Sequence, residues 1–317
     1  MPLDSTLRLR GIIPPMVTPL LTPSRLDEEA TRRQLRRLLA GGVHGVFILG
    51  TTGEGPSLGH AVQRRLIEVT CDEVRGAVPV LAGISAAAFD ESLRLARLAA
   101  DCGVAALTVT PPFYYPLGQD EIVEYFEHLA RQLPLPFVVY DIPAMTKTHM
   151  EAATVRRLLA LPALIGIKDS SGQMIYHHEL LRVAREREGL AVLIGPEELL
   201  AEAVLAGGHG GVPGGANIDP ALYVQLYEAA RRRDFAALEP LRDRLFLLRG
   251  IYQRGRFGSS MIKGVKCALK LMGVCGDVMT EPFQPFGPRQ TAEIAALLRD
   301  LGLLAAAAAT PQPLSVA

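Results

Sequence analysis

Eight short apolar runs punctuate the first two thirds of the chain, and longer stretches with helical periodicity separate them. The runs are Gly11–Leu20, Gly45–Gly50, Pro79–Ser85, Ala106–Pro111, Pro136–Pro143, Leu164–Ser170, Ala191–Gly195 and Gly210–Gly215. Several are apolar without alternation, as in Val46-Phe47-Ile48-Leu49 and Phe137-Val138-Val139-Tyr140. A strand reads this way when both of its faces are buried, as in parallel sheets covered by helices. Between the runs lie amphipathic segments: Asp27–Ala40, Ala61–Val74, Asp90–Cys102, Gln119–Arg131, Ala152–Ala160 and Ile175–Arg187. Within Glu91–Ala100, Leu93, Ala96 and Ala100 recur at three- and four-residue steps and so mark one helix face. Strand–helix units repeated in series predict an α/β fold, the (β/α)8 TIM barrel. An open, doubly wound sheet is the alternative, but no Gly-x-Gly-x-x-Gly turn follows the first strand to favour it.

After about Asp219 the strand signal stops, and Pro220–Arg233, Phe235–Gln253, Met261–Met272 and Arg289–Leu304 read as helices. The expected organisation is a barrel over residues 1–225, a C-terminal helical appendage over 226–304 and a flexible tail over 305–317. A chain of 317 residues is long enough to bury a large core. Lys plus Arg equals Asp plus Glu at 33 each. That balance gives no electrostatic support for a nucleic-acid or acidic-membrane partner, so a small molecule is the expected ligand. Cys71, Cys102, Cys267 and Cys275 are too scattered for a metal-ligand pattern and read as core residues, so no metal is expected. The N-terminus lacks an apolar leader and no 18 apolar residues run together, which points to a cytoplasmic protein.

In barrels of this type the chemistry gathers at the C-terminal ends of the strands. Three ends carry suitable residues. Gly50-Thr51-Thr52-Gly53-Glu54 closes the second strand. Its glycines permit a tight turn, and its N–H groups and two hydroxyls suit a carboxylate, although either threonine could simply cap a helix. Tyr140 closes the fifth strand, as a packed aromatic or as a proton relay. Lys168 ends the sixth strand after Ile165-Gly166-Ile167. It either reaches solvent, pairs with a carboxylate such as Asp141, or stays buried. Burial of the ammonium lowers a lysine's pKa and yields an amine that attacks ketones. The resulting iminium withdraws electrons from the adjacent carbon, so a carbanion equivalent forms there without a metal.

Together with Gly166-Ile167-Lys168-Asp169-Ser170-Ser171-Gly172 and Tyr140-Asp141-Ile142-Pro143, the Gly50–Glu54 motif resembles the dihydrodipicolinate synthase/N-acetylneuraminate lyase superfamily. The similarity continues through Pro111-Pro112-Phe113-Tyr114-Tyr115-Pro116, Gly207–Val212 and Ile262–Leu269 to about Leu304. The resemblance implies a class I, Schiff-base aldolase acting on pyruvate or another 2-oxo acid together with an aldehyde, with no cofactor. It implies that Lys168 forms the imine, that Tyr140 relays protons, and that Thr51, Thr52 and Gly53 hold the carboxylate. Val212 would add a main-chain contact. Tyr114 would enter a neighbouring subunit's site, in a homotetramer built as a dimer of dimers.

Three positions depart from the lysine-biosynthetic pattern or bear on the second substrate. Met145 stands where those synthases carry a carboxylate-binding arginine, with Lys147 two residues on as a partial substitute. Gly214 replaces the serine of the sialic-acid lyases, whereas Glu198 keeps their hydroxyl-binding acid, or else Glu197 and Glu198 merely start a helix. The expected substrate is a small hydroxylated 2-keto-3-deoxy sugar acid. The alternatives are a dehydratase of the same family, 4-hydroxy-tetrahydrodipicolinate synthase, and a non-catalytic sugar-acid binding protein.

Overall fold

The computed structural model describes residues 7–305, so all but the first residue of the expected tail lies outside the described residues. Eight parallel strands form one sheet: β1 (Gly11–Ile12), β2 (Val46–Ile48), β3 (Val80–Gly83), β4 (Ala106–Val109), β5 (Phe137–Asp141), β6 (Leu164–Asp169), β7 (Ala191–Ile194) and β8 (Gly210–Gly211). Their order is β1-β8-β7-β6-β5-β4-β3-β2. The sheet curls so that the chain just past β1 meets β2 in an isolated parallel bridge, Pro15 to Phe47. There the Phe47 N–H donates to the Pro14 carbonyl at 2.9 Å and the Met16 N–H to the Phe47 carbonyl at 2.8 Å.

Helices follow the strands: α1 (Glu28–Ala40), α2 (His60–Val74), α3 (Phe89–Asp101), α4 (Gln119–Ala130), α5 (Ala152–Leu158), α6 (Met174–Ala184), α7 (Leu200–Leu205) and α8 (Pro220–Arg232). Capping residues start them where the sequence offers one. Asp27 accepts from the Ala30 N–H ahead of α1, and Asp219 does the same for Leu222 ahead of Pro220 in α8. Six-residue α7 is too short to show a period, and the sequence reading passed over it. The appended helices are α9 (Phe235–Arg249), α10 (Ser260–Leu271) and α11 (Pro288–Asp300). Residue 226, where the appendage was expected to begin, lies inside α8.

Two expected strands shorten to two residues each. Pro14 and Pro15 lack an N–H, so the Gly11–Leu20 run stops pairing as a regular strand at Ile12; Leu20–Thr22 then folds into a small antiparallel hairpin with Arg25–Leu26. The Gly210–Gly215 run pairs only at Gly210–Gly211, and a 3-10 turn, Gly214–Asn217, follows.

The core has two parts. Ile13, Phe47, Leu81, Ala106, Val138 and Leu193 meet inside the curl of the sheet. A second cluster, between sheet and helices, runs from Ile12 through Val265 to Leu301, so the appended helices share it. Strands squeezed between these two layers need no polar face, which explains their unalternating sequence. All four cysteines are free. Among the described residues no helix is long and apolar enough to cross a membrane.

Candidate active site

A cavity of about 780 Å³ opens at the C-terminal ends of the strands. Thr51, Thr52, Tyr140, Lys168, Glu198 and Val212 all line it. The sequence placed these residues on separate strand ends, and the fold brings them to one cavity. Gly53 is not among the lining residues. It backs onto the interior, where a Cβ would lie 2.8 Å from the Met16 carbonyl, and its own carbonyl accepts from Thr18 Oγ1 at 2.6 Å. Tyr114 is 71 % exposed in the loop after β4 and lies outside its own chain's cavity, whereas Phe113 reaches the wall.

Lys168 does not reach solvent; it is only 5 % exposed. Its inward direction comes from a bulge. Phe137 pairs with Leu164 but Val138 pairs with Gly166, so β6 holds one extra residue, Ile165, opposite β5. Side chains alternate with period two, and an extra residue reverses that parity. Ile165 and Lys168 can therefore both face the interior, although their spacing puts them on opposite faces of a regular strand. Below the bulge the register is regular, with Tyr140 opposite Lys168 and Asp141 opposite Asp169.

The lysine Nζ sits 3.5 Å from the centre of the Tyr140 ring and 3.2 Å from Ser170 Oγ. Burial strips the ammonium of water and holds the lysine's pKa below its ordinary range, while Tyr140 and then Asp169 oppose the shift only in part. The pairing with Asp141 considered from sequence does not occur. Asp141 points to the outer layer, where it accepts from the Met150 N–H at 3.1 Å and meets His149 Nδ1 at 2.8 Å. Asp169 likewise faces outward to His177 Nδ1 at 3.0 Å and Ser171 Oγ at 2.7 Å.

The loop after β2 is shaped by close backbone approaches. Leu49 and Glu54 both take left-handed conformations, φ 58° and 57°, at roughly 1–3 kcal/mol each. Gly83 and Gly55 press on the Leu49 carbonyl, where a Cβ would lie 2.4 Å and 2.0 Å away. The motif does not open α2 directly: a 3-10 turn, Gly55–Ser57, intervenes, and neither threonine caps a helix. Among the described residues the N–H groups of Thr51 and Thr52 have no backbone acceptor.

The far side of the cavity differs from expectation. Glu198 lines it but is ion-paired with Arg249 of α9, which competes with any hydroxyl ligand. Glu197 also reaches the cavity. That side chain is buried, accepts from the Gly215 N–H at 2.7 Å and from the Tyr223 hydroxyl at 2.5 Å, and has its pKa raised to about 7 by burial. Adjacent glutamates in a 3-10 turn point in different directions, and the sequence carries no signal for which one is buried. At Gly214 a Cβ would lie 1.9 Å from Met261 Cε, the flexible end of a side chain that must shift to admit it. Met145 is half exposed and Lys147 is exposed and absent from the lining, so Lys147 does not replace the missing arginine.

A curled sheet of eight parallel strands carries a buried lysine at a strand end, and the chain is a lyase of the class I aldolase superfamily. The chain belongs to the dihydrodipicolinate synthetase family, whose model matches residues 8–301. It is 34 % identical over 298 residues to an uncharacterized DapA-like lyase of Halobacterium salinarum, covering 94 % of this chain and 96 % of that one. Among solved structures it is similar to a dihydrodipicolinate synthase from Bacteroides thetaiotaomicron, at 43 % identity and a TM-score of 0.89, covering 95 % of this chain and 100 % of that one. It is also similar to YagE, a prophage protein of E. coli K12 solved with pyruvate, at 27 % identity and a TM-score of 0.87, covering 93 % and 99 % of the two chains.

Proposed function

We propose that the protein makes or cleaves a carbon–carbon bond beside a 2-oxo acid, with Lys168 as the Schiff-base nucleophile on a closed (β/α)8 barrel. The observation that carries this reading is the buried Lys168 amine, 3.5 Å from the Tyr140 ring inside the cavity. The neutral amine attacks the ketone of pyruvate, and water leaves as the imine forms. Loss of a proton from the adjacent methyl gives an enamine that adds to an aldehyde; the reverse sequence cleaves the product. Tyr140 relays protons at the reacting oxygen. The N–H groups and hydroxyls of Thr51 and Thr52 hold the carboxylate, and the Val212 main chain closes the cradle.

The second substrate is a neutral, hydroxylated aldehyde, so the whole substrate is a 2-keto-3-deoxy sugar acid. Lys168 is the only cationic side chain among the described residues lining the cavity, which leaves a second carboxylate without a bidentate partner. This disfavours 4-hydroxy-tetrahydrodipicolinate synthase activity, although family relatives bear that name. Tyr114 and Tyr115, 71 % and 73 % exposed with rings 5.0 Å apart, support a homotetramer in which Tyr114 completes a neighbour's site. Borohydride reduction in the presence of pyruvate, followed by intact mass, tests the imine. One adduct in the wild type and none in Lys168→Ala is expected; no adduct with any 2-oxo acid sinks the reading. A panel of 2-keto-3-deoxy acids, scored for pyruvate release against water loss, separates an aldolase from a dehydratase. Binding without turnover across that panel would instead favour a non-catalytic binding protein.

A further inference from the structure

The glutamate that ends the threonine loop is tied to the far end of the chain. Glu54 forms an ion pair with Lys266 of α10, and both side chains are wholly buried. Its other oxygen accepts from the Thr280 N–H and the Thr280 hydroxyl, each at 2.8 Å. Lys266 in turn donates to the Val278 carbonyl at 2.7 Å. The same helix sets Met261 Sδ 3.9 Å from Thr52 Oγ1, a second contact onto the loop. We propose that the buried Glu54–Lys266 pair is a positioning device through which the C-terminal helices hold Thr51 and Thr52 in the shape that receives the substrate carboxylate.

The inference rests on the carboxylate cradle proposed above. Net stability is a poor reason for such a pair, because the desolvation of two buried charges offsets most of their attraction. Registry is a better one. The loop contains two left-handed non-glycine residues, Leu49 and Glu54, and such conformations persist only where the surroundings hold them. Close packing of Gly83 and Gly55 restrains the Leu49 carbonyl, and Thr18 holds the Gly53 carbonyl. The Glu54 side has Lys266 and Thr280. With that anchor released, the Thr51 and Thr52 donors lose their fixed spacing, whereas Lys168, on a separate strand, keeps its place.

Half-saturation of borohydride trapping, measured with pyruvate and with pyruvamide, reads this directly, because pyruvamide has the ketone but no carboxylate. Glu54→Gln and the double variant Glu54→Gln/Lys266→Met are expected to raise half-saturating pyruvate by about 10-fold, the equivalent of one charge-assisted hydrogen bond. Pyruvamide is expected to shift far less, and the fraction trapped at saturation to stay the same. Thr280→Val, which keeps the ion pair and the Thr280 N–H but removes the hydroxyl, is expected to shift pyruvate by about 3-fold, within the range of one net hydrogen bond. A merely structural role would move both ketones alike. If the wild type traps pyruvate but the pyruvate-to-pyruvamide ratio is unchanged in every variant that folds, the positioning role is overturned alone. No adduct in the wild type overturns the Schiff-base reading and this inference with it.

Discussion

Replacing Glu197 by glutamine removes one titrating proton while keeping the side chain's shape and an oxygen for the Gly215 N–H. In the wild type, burial raises this carboxyl from its ordinary 4.5 to about 7, against the opposing hydrogen bonds from Tyr223 and Gly215. Between those values the folded chain keeps a proton that the unfolded chain has released. The associated stability is therefore complete below about pH 4.5 and is lost as the pH rises through about 7. A gap of about 2.5 in pH, at roughly 1.4 kcal/mol for each, amounts to about 3 kcal/mol. Glutamine carries no such dependence. The stability of Glu197→Gln relative to wild type is thus expected to rise by about 2.5 kcal/mol between about pH 5 and about pH 8. Urea unfolding of both proteins across that range, compared through midpoints at equal slope, measures it. A difference that stays flat, or that moves against the variant as the pH rises, refutes the claim that burial keeps Glu197 protonated.

Tyr140→Phe leaves the ring under Lys168 but removes the hydroxyl, and is expected to cut turnover by at least about 100-fold while borohydride trapping persists; unchanged turnover removes Tyr140 from proton transfer. Gly55→Ala drives a Cβ to 2.0 Å from the Leu49 carbonyl, a backbone atom that cannot swing away. A loss of about 3 kcal/mol is expected from overpacking there, read as a lower urea midpoint. Gly214→Ser meets only the flexible end of Met261, so a smaller loss of about 1 kcal/mol is expected. Met261→Ala should relieve that clash, giving a coupling of at least about 0.5 kcal/mol in a double-mutant cycle; strict additivity would show that the two sites do not compete for space.

Much of the fold was legible because its causes are local. Strands buried between two apolar layers must be apolar on both faces, and β2 and β5 announce themselves that way. Pro14 and Pro15 carried the information that β1 is short, though the apolar run around them concealed it. Lys168 and Tyr140 were legible as candidates because a lysine directly after a buried run is costly and because their motifs resemble those of the family. Glu197 was not. Only the 3-10 turn and the approach of Tyr223 decide that it is the buried member of its pair, with Glu198 turned to Arg249.

The sequence by itself determined which residues end the strands, and with them the candidates for the site: two threonines, a tyrosine and a lysine. Such properties belong to short windows of chain, where composition and period act directly. Tertiary structure alone decided which way those residues face and what holds them. One extra residue in β6 reverses the alternation and turns Lys168 inward, and it is visible only against the register of β5. The Glu54 carboxylate is met by Thr280, 226 positions away, and no local pattern encodes a partner at that distance. Side-chain direction and long-range pairing depend on how elements pack, and packing is a property of the whole chain.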